Sequence, residues 1–229
     1  MFRVKICGIT HVQDGLQAVA AGADAVGLNF FTGSRRYVAP QIAREIVLSL
    51  PPGSKKVGVF VNAAADEVRE LARLVGLDVI QLHGDEPPEL IAELSDWPVV
   101  RAFRLDARGW EPCCQYIACC QKHGALPAAL LVDGFQTGEY GGTGTSPDWT
   151  IVAKYHELGF GLPLVLAGGL RHENVAAAIA AVQPYGVDTA SGVESSPGRK
   201  DGAKVAAFVA AARRALGLAE LDYTARGLE

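Results

Sequence analysis

A single closed (β/α)8 barrel of the TIM type is the α/β fold that this sequence predicts. Eight short runs rich in Val, Ile and Leu alternate strictly with segments of helical spacing, which is typical of a parallel sheet covered by helices. Eight such units are the number that closes a (β/α)8 barrel. The chain of 229 residues also has a suitable length, since barrels of this size commonly form one domain.

The predicted strands contain few polar interruptions, as expected when both faces of a parallel sheet are covered. They comprise residues 3–7, 24–29, 56–61, 78–82, 99–103, 128–133, 163–167 and 187–190. Segments with helical spacing follow them, for example 12–21, 41–50, 65–75 and 173–182. An open doubly wound sheet is the alternative arrangement, although no G-x-G-x-x-G sequence follows the first strand.

The boundaries between elements carry their own signals. Thr10 and Gln13 resemble a capping box, which would begin the first helix. Gly22 and Gly76 stand where a helix ends shortly before the next strand. No linker or low-complexity stretch divides the chain, so we expect one barrel domain over residues 1–217 and a surface tail over residues 218–229.

The composition excludes several classes of function. A net charge of −4 and a pI of about 5.8 give no electrostatic basis for binding nucleic acid or an anionic membrane surface. A small anionic ligand needs only local positive charge and is not excluded. The N-terminus has no signal-peptide pattern, and no apolar run approaches the roughly 18 residues of a membrane span, so we expect a cytoplasmic protein.

The five cysteines do not suggest a disulfide framework, because their number is odd and Cys7 has no obvious partner. Cys113, Cys114, Cys119 and Cys120 form two adjacent pairs in a predicted helix, where neighbours point about 100° apart and all four do not converge. Neither C-x2-C nor a histidine at zinc-finger spacing is present. We therefore expect core cysteines with one or two exposed thiols, and no metal site.

Polar side chains and glycines concentrate where the apolar runs stop. In this fold the chemistry sits at the C-terminal ends of the strands, while the opposite ends serve stability. The sequence therefore predicts a polar pocket above an apolar barrel. Its candidate residues are Cys7, Asn29, Arg36, Asn62, Gln81, His83, either Arg101 or Arg104, Asp133, Gly168, Gly169, Ser191 and Gly192.

The last two strand-to-helix turns indicate a phosphate site. "LAGGLRHENV" places Gly168 and Gly169 between a strand and a helix that starts near Arg171, and "TASGVESSPG" places Ser191 and Gly192 after the final strand. Barrels often bind phosphate with backbone N–H groups of these two loops, where glycine allows an anion to approach closely. Tight turns alone would also explain the glycines.

Three further side chains have both a catalytic and a structural interpretation. Asp133 ends an apolar strand, where partial desolvation would favour the protonated form that a general acid needs; a helix cap or a salt bridge would also explain it. Cys7 would act as a base once deprotonated, or would pack as a small buried side chain. We expect Lys5 to lie deeper and not to assist Cys7 directly. Arg36 offers a planar fork for a carboxylate, or forms a solvated basic pair with Arg35.

Seven stretches give the chain a resemblance to a known family. They are "VKICGIT", "GADAVGLNF…SRRYVAP", "KKVGVFVN", "VIQLHGDE", "GGTG…DW", "LAGGLRHENV" and "GVDTASGVESSPGRKD", in that order. The chain to about Leu216 resembles phosphoribosylanthranilate isomerase, a (β/α)8 barrel of tryptophan biosynthesis. "KICGIT" and "QLHGDE" are the most distinctive of these motifs.

The resemblance implies an Amadori rearrangement, which converts N-(5-phosphoribosyl)anthranilate to 1-(2-carboxyphenylamino)-1-deoxyribulose 5-phosphate. The family's general base matches Cys7, its general acid matches Asp133, and the arginine that binds the anthranilate carboxylate matches Arg36. The other implied substrate-binding residues are Gln81, His83, Asp188, Gly168, Gly169, Ser191 and Gly192. The resemblance implies no metal or organic cofactor, and the expected partner is a small phosphorylated aminosugar.

Two departures from the family pattern bear on substrate affinity. Thr145, Ser146 and Pro147 replace a basic or polar residue and an aromatic one, and Ala167 replaces a serine that often precedes the glycine pair. Another phosphosugar barrel with different catalytic residues, and a barrel that only binds a ligand or a protein partner, are the alternative functions. The sequence leaves both a monomer and a homodimer open.

Overall fold

The computed structural model describes residues 1–106, 108–134 and 147–219, and it contains a closed barrel of eight parallel strands. Each strand pairs with the next one in the sequence, and the eighth pairs with the first. The strands are β1 (Val4–Ile6), β2 (Ala25–Asn29), β3 (Lys55–Phe60), β4 (Val79–Leu82), β5 (Val99–Arg104), β6 (Ala129–Asp133), β7 (Leu164–Leu166) and β8 (Gly186–Thr189). The pairing of β8 with β1 confirms the predicted barrel and excludes the open sheet.

Helices alternate with the strands, as predicted. They are α1 (Val12–Ala20), α2 (Pro40–Ser49), α3 (Ala65–Val75), α4 (Glu89–Glu93), α5 (Glu111–Lys122), α6 (Trp149–Ala153), α7 (Val175–Val182) and α8 (Gly202–Ala215). A hairpin of two short strands, β9 (Glu194–Ser196) and β10 (Arg199–Lys200), lies between β8 and α8. This hairpin follows the last barrel strand on the side where the site is expected.

Some element boundaries differ from the predicted ones. The helix predicted over 173–182 begins at Val175, because Asn174 forms a turn in which its side chain accepts the N–H of Arg171 at 2.8 Å. The capping-box prediction is wrong: α1 follows His11 without a side-chain cap. Thr10 Oγ1 instead donates to the carbonyl of Gly198 at 2.5 Å and so ties the end of β1 to the β9–β10 hairpin.

Two apolar layers hold the barrel together. The inner layer consists of alternate positions on the strands or just beyond their ends: Phe2, Ala25, Val57, Val79, Val100, Ala102, Ala129, Leu131, Val165 and Ala167. The intervening strand residues, such as Leu28, Ile80 and Leu130, pack outward against the helices. Because burial of one such aliphatic side chain contributes about 1.5–3 kcal/mol, these layers supply the main stabilising contribution.

The cysteines of α5 pack mainly as core residues, as predicted. Cys113 and Cys120 are fully buried, whereas Cys114 and Cys119 are partly buried. Burial raises the pKa of Cys113 to about 12 and that of Cys120 to about 11, so both thiols are protonated near neutral pH. Across residues 1–106, 108–134 and 147–219, no group of three His, Cys, Asp or Glu side chains is arranged to hold a metal ion.

Parts of the sequence-based description lie outside the described residues. Thr145 and Ser146 belong to these parts, as do residues 220–229 of the predicted tail. The domain limit at residue 217 stays a prediction, although α8 ends close to it, at Ala215. None of the helices in the described ranges is long and apolar enough to cross a membrane.

Arg101, on β5, holds the loop after β4 from inside the protein. Its guanidinium donates to the carbonyls of Leu82, Ala102 and Gly84 at 2.8–3.1 Å and pairs with Glu86 at 3.2 Å. Glu86 in turn accepts the backbone N–H of Gly84. Both charged side chains are buried, so the loop is fixed by a network that water does not reach.

We predict that Arg101→Met lowers the free energy of unfolding by about 3–5 kcal/mol, because it leaves Glu86 buried and charged without its partner. Arg73→Met is the matched control, since the Arg73 and Asp96 side chains are 63% and 62% exposed. An exposed pair of this kind contributes about 0–1 kcal/mol. Urea unfolding followed by circular dichroism measures both variants. A loss for Arg101→Met as small as that of the control would contradict the prediction.

Candidate functional site

One pocket opens at the C-terminal ends of the barrel strands, where the sequence predicts the site. Its space amounts to about 660 Å³ when the solvent in its open mouth is included. Nine of the ten residues expected to act on the substrate line it: Cys7, Arg36, Gln81, His83, Asp133, Gly168, Gly169, Asp188 and Ser191. The tenth, Gly192, is not among the lining residues but directly follows Ser191, which is.

Cys7 follows β1 directly and lies beside a buried ion pair. Lys5 Nζ lies 2.8 Å from Asp188 Oδ2, and Lys5 is completely buried. Cys7 Sγ and Lys5 Cε both lie against Gly27 of β2, where an added Cβ would be 2.6 Å from the sulfur and 3.1 Å from that carbon. Because Gly27 has no side chain, the Cys7 thiol and the aliphatic part of the Lys5 side chain have room to lie next to each other.

Two opposed effects set the electrostatics of Cys7. Burial raises the pKa of its thiol, because the thiolate loses hydration. The Lys5 ammonium lowers that pKa through its charge and a hydrogen bond to the sulfur, but it does not cancel the effect of burial. Burial alone would lower the pKa of Lys5, yet the charges of Asp188 and Cys7 outweigh it and keep Lys5 protonated. The expectation that Lys5 does not assist Cys7 directly is therefore wrong.

Asp133, the last residue of β6, belongs to a chain of hydrogen bonds. Its Oδ2 lies 3.2 Å from His83 Nε2, and His83 Nδ1 lies 2.8 Å from the amide nitrogen of Gln81. Its Oδ1 accepts the N–H of Gly134 at 2.8 Å. Gln81, His83 and Asp133 all line the pocket but are only 1%, 8% and 7% exposed. Their side chains are therefore shielded from bulk water.

Arg36 is held beside the pocket by Glu194. The Nε and Nη2 groups of Arg36 donate to the two carboxylate oxygens of Glu194 at 2.8 Å each, and Lys200 Nζ donates to one of these oxygens at 2.9 Å. Burial alone would raise the pKa of Glu194, but Arg36 and Lys200 hold it below its usual value. The Arg36 stem lies over Gly8, where an added Cβ would be 2.5 Å from Cδ. Arg36 is thus a fixed group and not a solvated surface charge.

The two glycine-rich loops meet at one edge of the pocket. Gly168 and Gly169 have φ angles of +87° and +59°, which residues with side chains rarely adopt. A Cβ at Gly192 would overlap the carbonyl oxygen of Leu170, so the loop after β8 packs directly on the loop after β7. Ser191 begins a short 3-10 helix (Ser191–Val193) at this contact.

The strand-end candidates outside this set have mixed outcomes. Asn29 lines the pocket, where its Oδ1 accepts the N–H of Phe31 at 2.9 Å. Asn62 does not line it; its φ is +54° and its side chain accepts the N–H of Asp85 at 2.7 Å. Arg104 pairs with Asp85 at 3.3 Å outside the pocket lining. These contacts, like those of Arg101, organise the loop after β4.

Four residues of the site were not singled out from the sequence as functional. They are Lys5, Gly27, Glu194 and Lys200. Glu194 and Lys200 lie within the quoted stretch "GVDTASGVESSPGRKD", which was the available signal. Their relation to Arg36 had no local signal, because Arg36 and Glu194 are 158 positions apart.

The chain is similar in sequence to proteins of one known family. Residues 4–211 match the family model described as N-(5'phosphoribosyl)anthranilate (PRA) isomerase. An N-(5'-phosphoribosyl)anthranilate isomerase from Geobacter metallireducens is 46% identical over 214 residues, which cover 93% of this chain and 100% of that protein. The match therefore extends over the whole barrel.

Solved structures of the same family superpose on this chain. The crystal structure of phosphoribosyl anthranilate isomerase from Thermotoga maritima is similar with a TM-score of 0.82 and 39% identity, covering 95% of this chain and 100% of that one. A structure of such an isomerase in complex with reduced 1-(o-carboxyphenylamino)-1-deoxyribulose 5-phosphate is similar with a TM-score of 0.79 and 38% identity, over 95% and 100% of the two chains. The chain therefore belongs to the N-(5'-phosphoribosyl)anthranilate isomerase family and is an isomerase of tryptophan biosynthesis.

Proposed function

We propose that this protein converts N-(5'-phosphoribosyl)anthranilate to 1-(2-carboxyphenylamino)-1-deoxyribulose 5-phosphate, with Cys7 as general base and Asp133 as general acid. The observation that carries the proposal is that a single pocket contains the thiol, the carboxyl group, Arg36 and both glycine-rich loops. The reacting sugar, the anthranilate carboxylate and the phosphate each find a chemically matched group in that pocket.

The rearrangement needs an acid before it needs a base. Asp133 donates a proton to the ribose ring oxygen, the C1–O bond breaks toward that oxygen, and the nitrogen lone pair forms the C1=N bond of a protonated Schiff base. Cys7 then removes the proton from C2, whose electrons form C1=C2 while the C=N electrons return to nitrogen. In the last step, C1 takes the proton from Cys7 and the 2-hydroxyl gives one to Asp133, so both groups regain their initial protonation.

Asp188 is suited to binding the sugar. Its Oδ2 is held by Lys5, whereas its Oδ1 is buried and has no hydrogen-bond partner within the described part of the chain. A buried carboxylate oxygen without a partner is costly, so it favours an O–H or N–H donor from a ligand. We assign a sugar hydroxyl to this oxygen.

The two charged ends of the substrate have separate anchors. Glu194 uses the Nε and Nη2 groups of Arg36, which leaves the edge formed by Nη1 for the anthranilate carboxylate. The backbone N–H groups of Gly168, Gly169, Ser191 and Gly192 are assigned to the phosphate. Glycine-rich loops after the last two strands are a common phosphate site in this fold.

The proposed mechanism uses no metal or organic cofactor, since an acid, a base and anion-binding groups account for every step. A barrel that only binds its ligand is the alternative function, and it differs by predicting binding without turnover. The cytoplasmic location and the choice between monomer and homodimer stay predictions.

Turnover of N-(5'-phosphoribosyl)anthranilate, generated in situ and followed by its fluorescence, is the first test. Cys7→Ser and Asp133→Asn should each lose at least about a hundredfold in kcat, because general acid–base catalysis contributes about 10²–10⁴-fold. Cys119→Ser, which changes a cysteine outside the pocket, is the control and should keep wild-type turnover. Near-wild-type rates in either of the first two variants would refute that residue's role. An inactive wild type would favour the ligand-binding alternative.

Alkylation of Cys7 by iodoacetamide should become faster as the pH rises, with a midpoint above that of a free thiol. Burial raises the pKa of this group, and the thiolate is the species that reacts. Lys5→Met should move the midpoint further up, because the variant lacks the ammonium that lowers the Cys7 pKa.

The rate is read by mass spectrometry of the peptide that contains Cys7. Lys56→Met is the control, since Lys56 is a partly exposed lysine whose pair with Asp78 lies outside the pocket lining. A wild-type midpoint at or below that of a free thiol would contradict the account, as would an unchanged midpoint in Lys5→Met.

Arg36→Met should raise KM about ten- to hundredfold with a smaller change in kcat, because a charge-assisted contact to the substrate carboxylate contributes about 1.5–3 kcal/mol. Arg35→Met removes the neighbouring exposed arginine and should leave KM unchanged. Steady-state kinetics of both variants make the comparison. An unchanged KM in Arg36→Met would show that another group binds the carboxylate.

A further inference from the structure

Two buried side-chain oxygens have no hydrogen-bond partner in the described part of the chain: Gln81 Oε1 and Asp188 Oδ1. Both residues line the pocket, and they are only 1% and 5% exposed. Because buried oxygens are normally paired, an unpaired one at a pocket wall favours a ligand that brings an N–H or O–H group. The proposed function assigns a sugar hydroxyl to Asp188 Oδ1, which leaves Gln81 Oε1 for a second donor.

The other end of the Gln81 amide is already in use. Gln81 Nε2 lies 2.8 Å from His83 Nδ1, and an amide nitrogen only donates, so it donates to this ring nitrogen. Because the amide group is planar, the same contact also fixes the direction of Oε1. The pocket therefore contains an acceptor whose orientation is set before a ligand arrives.

Gln81 lies between two groups that the proposed function assigns to the substrate. Arg36 follows β2, Gln81 belongs to β4 and Asp133 ends β6, and strands that are consecutive in the sequence are neighbours in the barrel. In the substrate, the amine nitrogen joins the aromatic ring, whose carboxylate is assigned to Arg36, to C1, whose ring oxygen is assigned to Asp133. We therefore expect the nitrogen at the pocket wall between β2 and β6.

This wall offers the nitrogen one free acceptor within the described ranges. The pocket residues between β2 and β6 are Val59, Val61, Gln81 and His83. The two valines are apolar, and both ring nitrogens of His83 already have contacts. Gln81 Oε1 is thus matched to the N–H group of the substrate.

We propose that Gln81 Oε1 accepts the N–H of the substrate's aryl amine and is a catalytic residue that stabilises the protonated Schiff base. This inference rests on the proposed function and adds no proton transfer, because Gln81 stays a neutral amide throughout. Ring opening places positive charge on the N–H group, and hydrogen bonds from charged donors are roughly twice as strong as neutral ones. The contact therefore strengthens on the way to the Schiff base, which raises kcat.

The same contact selects a nitrogen-linked sugar. An ether oxygen in place of the N–H would be an acceptor facing Gln81 Oε1, and neither oxygen would have a hydrogen to share. A site that uses a buried polar group to bind an N–H rejects the analogue that lacks it. The expected ligand class is thus a secondary aryl amine carrying a phosphorylated sugar.

The first test compares two ligands in the intact protein by isothermal titration calorimetry. They are reduced 1-(o-carboxyphenylamino)-1-deoxyribulose 5-phosphate and the same molecule with an ether oxygen in place of N–H. The wild type should bind the amine about ten- to a hundredfold more tightly, because the ether leaves a buried acceptor unsatisfied. Gln81→Met should bind both ligands within about twofold, whereas Gln115→Met, a matched change on the exposed surface of α5, should keep the full preference.

Equal binding of the two ligands by the wild type would overturn the inference without the need for any variant. A preference for the amine that persists in Gln81→Met would also overturn it, since another group, such as the ortho carboxylate of the ligand itself, would then accept the N–H.

The second test is kinetic. We expect kcat to fall about tenfold in Gln81→Met, because the stronger hydrogen bond of the Schiff base is lost. Gln81→Glu keeps an acceptor oxygen in either protonation state and should retain more of the wild-type kcat. An unchanged kcat in Gln81→Met, or a Gln81→Glu variant that is equally slow, would contradict the catalytic role.

The wild-type measurements separate this inference from the proposed function. If the wild type neither binds the reduced product nor turns over N-(5'-phosphoribosyl)anthranilate, the proposed function fails and the inference fails with it. If it does both but does not distinguish the amine from the ether, the proposed function stands and the inference alone fails.

Discussion

The ion pair between Lys5 and Asp188 joins the first strand of the barrel to the last. The two residues are register partners in the β1–β8 pairing that closes the sheet, and their side chains meet at 2.8 Å away from water. Removal of one partner of a buried pair costs about 3–5 kcal/mol, because the other charge stays buried without compensation. Because Cys7 follows β1 directly, the same contact places an ammonium group beside the thiol and aims an oxygen of Asp188 into the pocket. Fold closure and the electrostatic environment of Cys7, the proposed base, thus depend on one interaction.

A second group of charged side chains lies beside the pocket and again joins distant segments of the chain. Glu194 lies between Arg36 and Lys200, and it connects the β9–β10 hairpin to the loop after β2. Since Glu194 and Lys200 are buried and Arg36 is partly buried, the guanidinium is already oriented before any ligand arrives. The proposed base, the proposed acid and the proposed carboxylate anchor therefore lie on separate supports, each of which is itself hydrogen-bonded within the barrel.

Local patterns in the sequence predicted the elements well, because apolar runs and helical spacing express burial directly. In a (β/α)8 barrel the functional residues lie at the C-terminal ends of the strands. This general property correctly predicted that Cys7, Asp133 and the two glycine-rich loops line one pocket. Contacts between distant segments leave no local signal. The sequence predicts that Lys5 lies too deep to assist Cys7, because it does not show that Gly27 leaves room for both side chains. The capping box at Thr10 failed for the same reason, because the hydroxyl finds a partner in the hairpin near the other end of the chain.

The central claim is that Asp133 opens the ribose ring and Cys7 then takes the proton from C2. The most direct measurement is a single turnover of substrate carrying deuterium at ribose C2 by Cys7→Ser, with borohydride reduction of any Schiff base and analysis by mass spectrometry. The account predicts that the ring-opened species accumulates in this variant and keeps its deuterium. Loss of deuterium to solvent at the wild-type rate would contradict the assignment of the base, and absence of any ring-opened species would contradict the separation of the two steps.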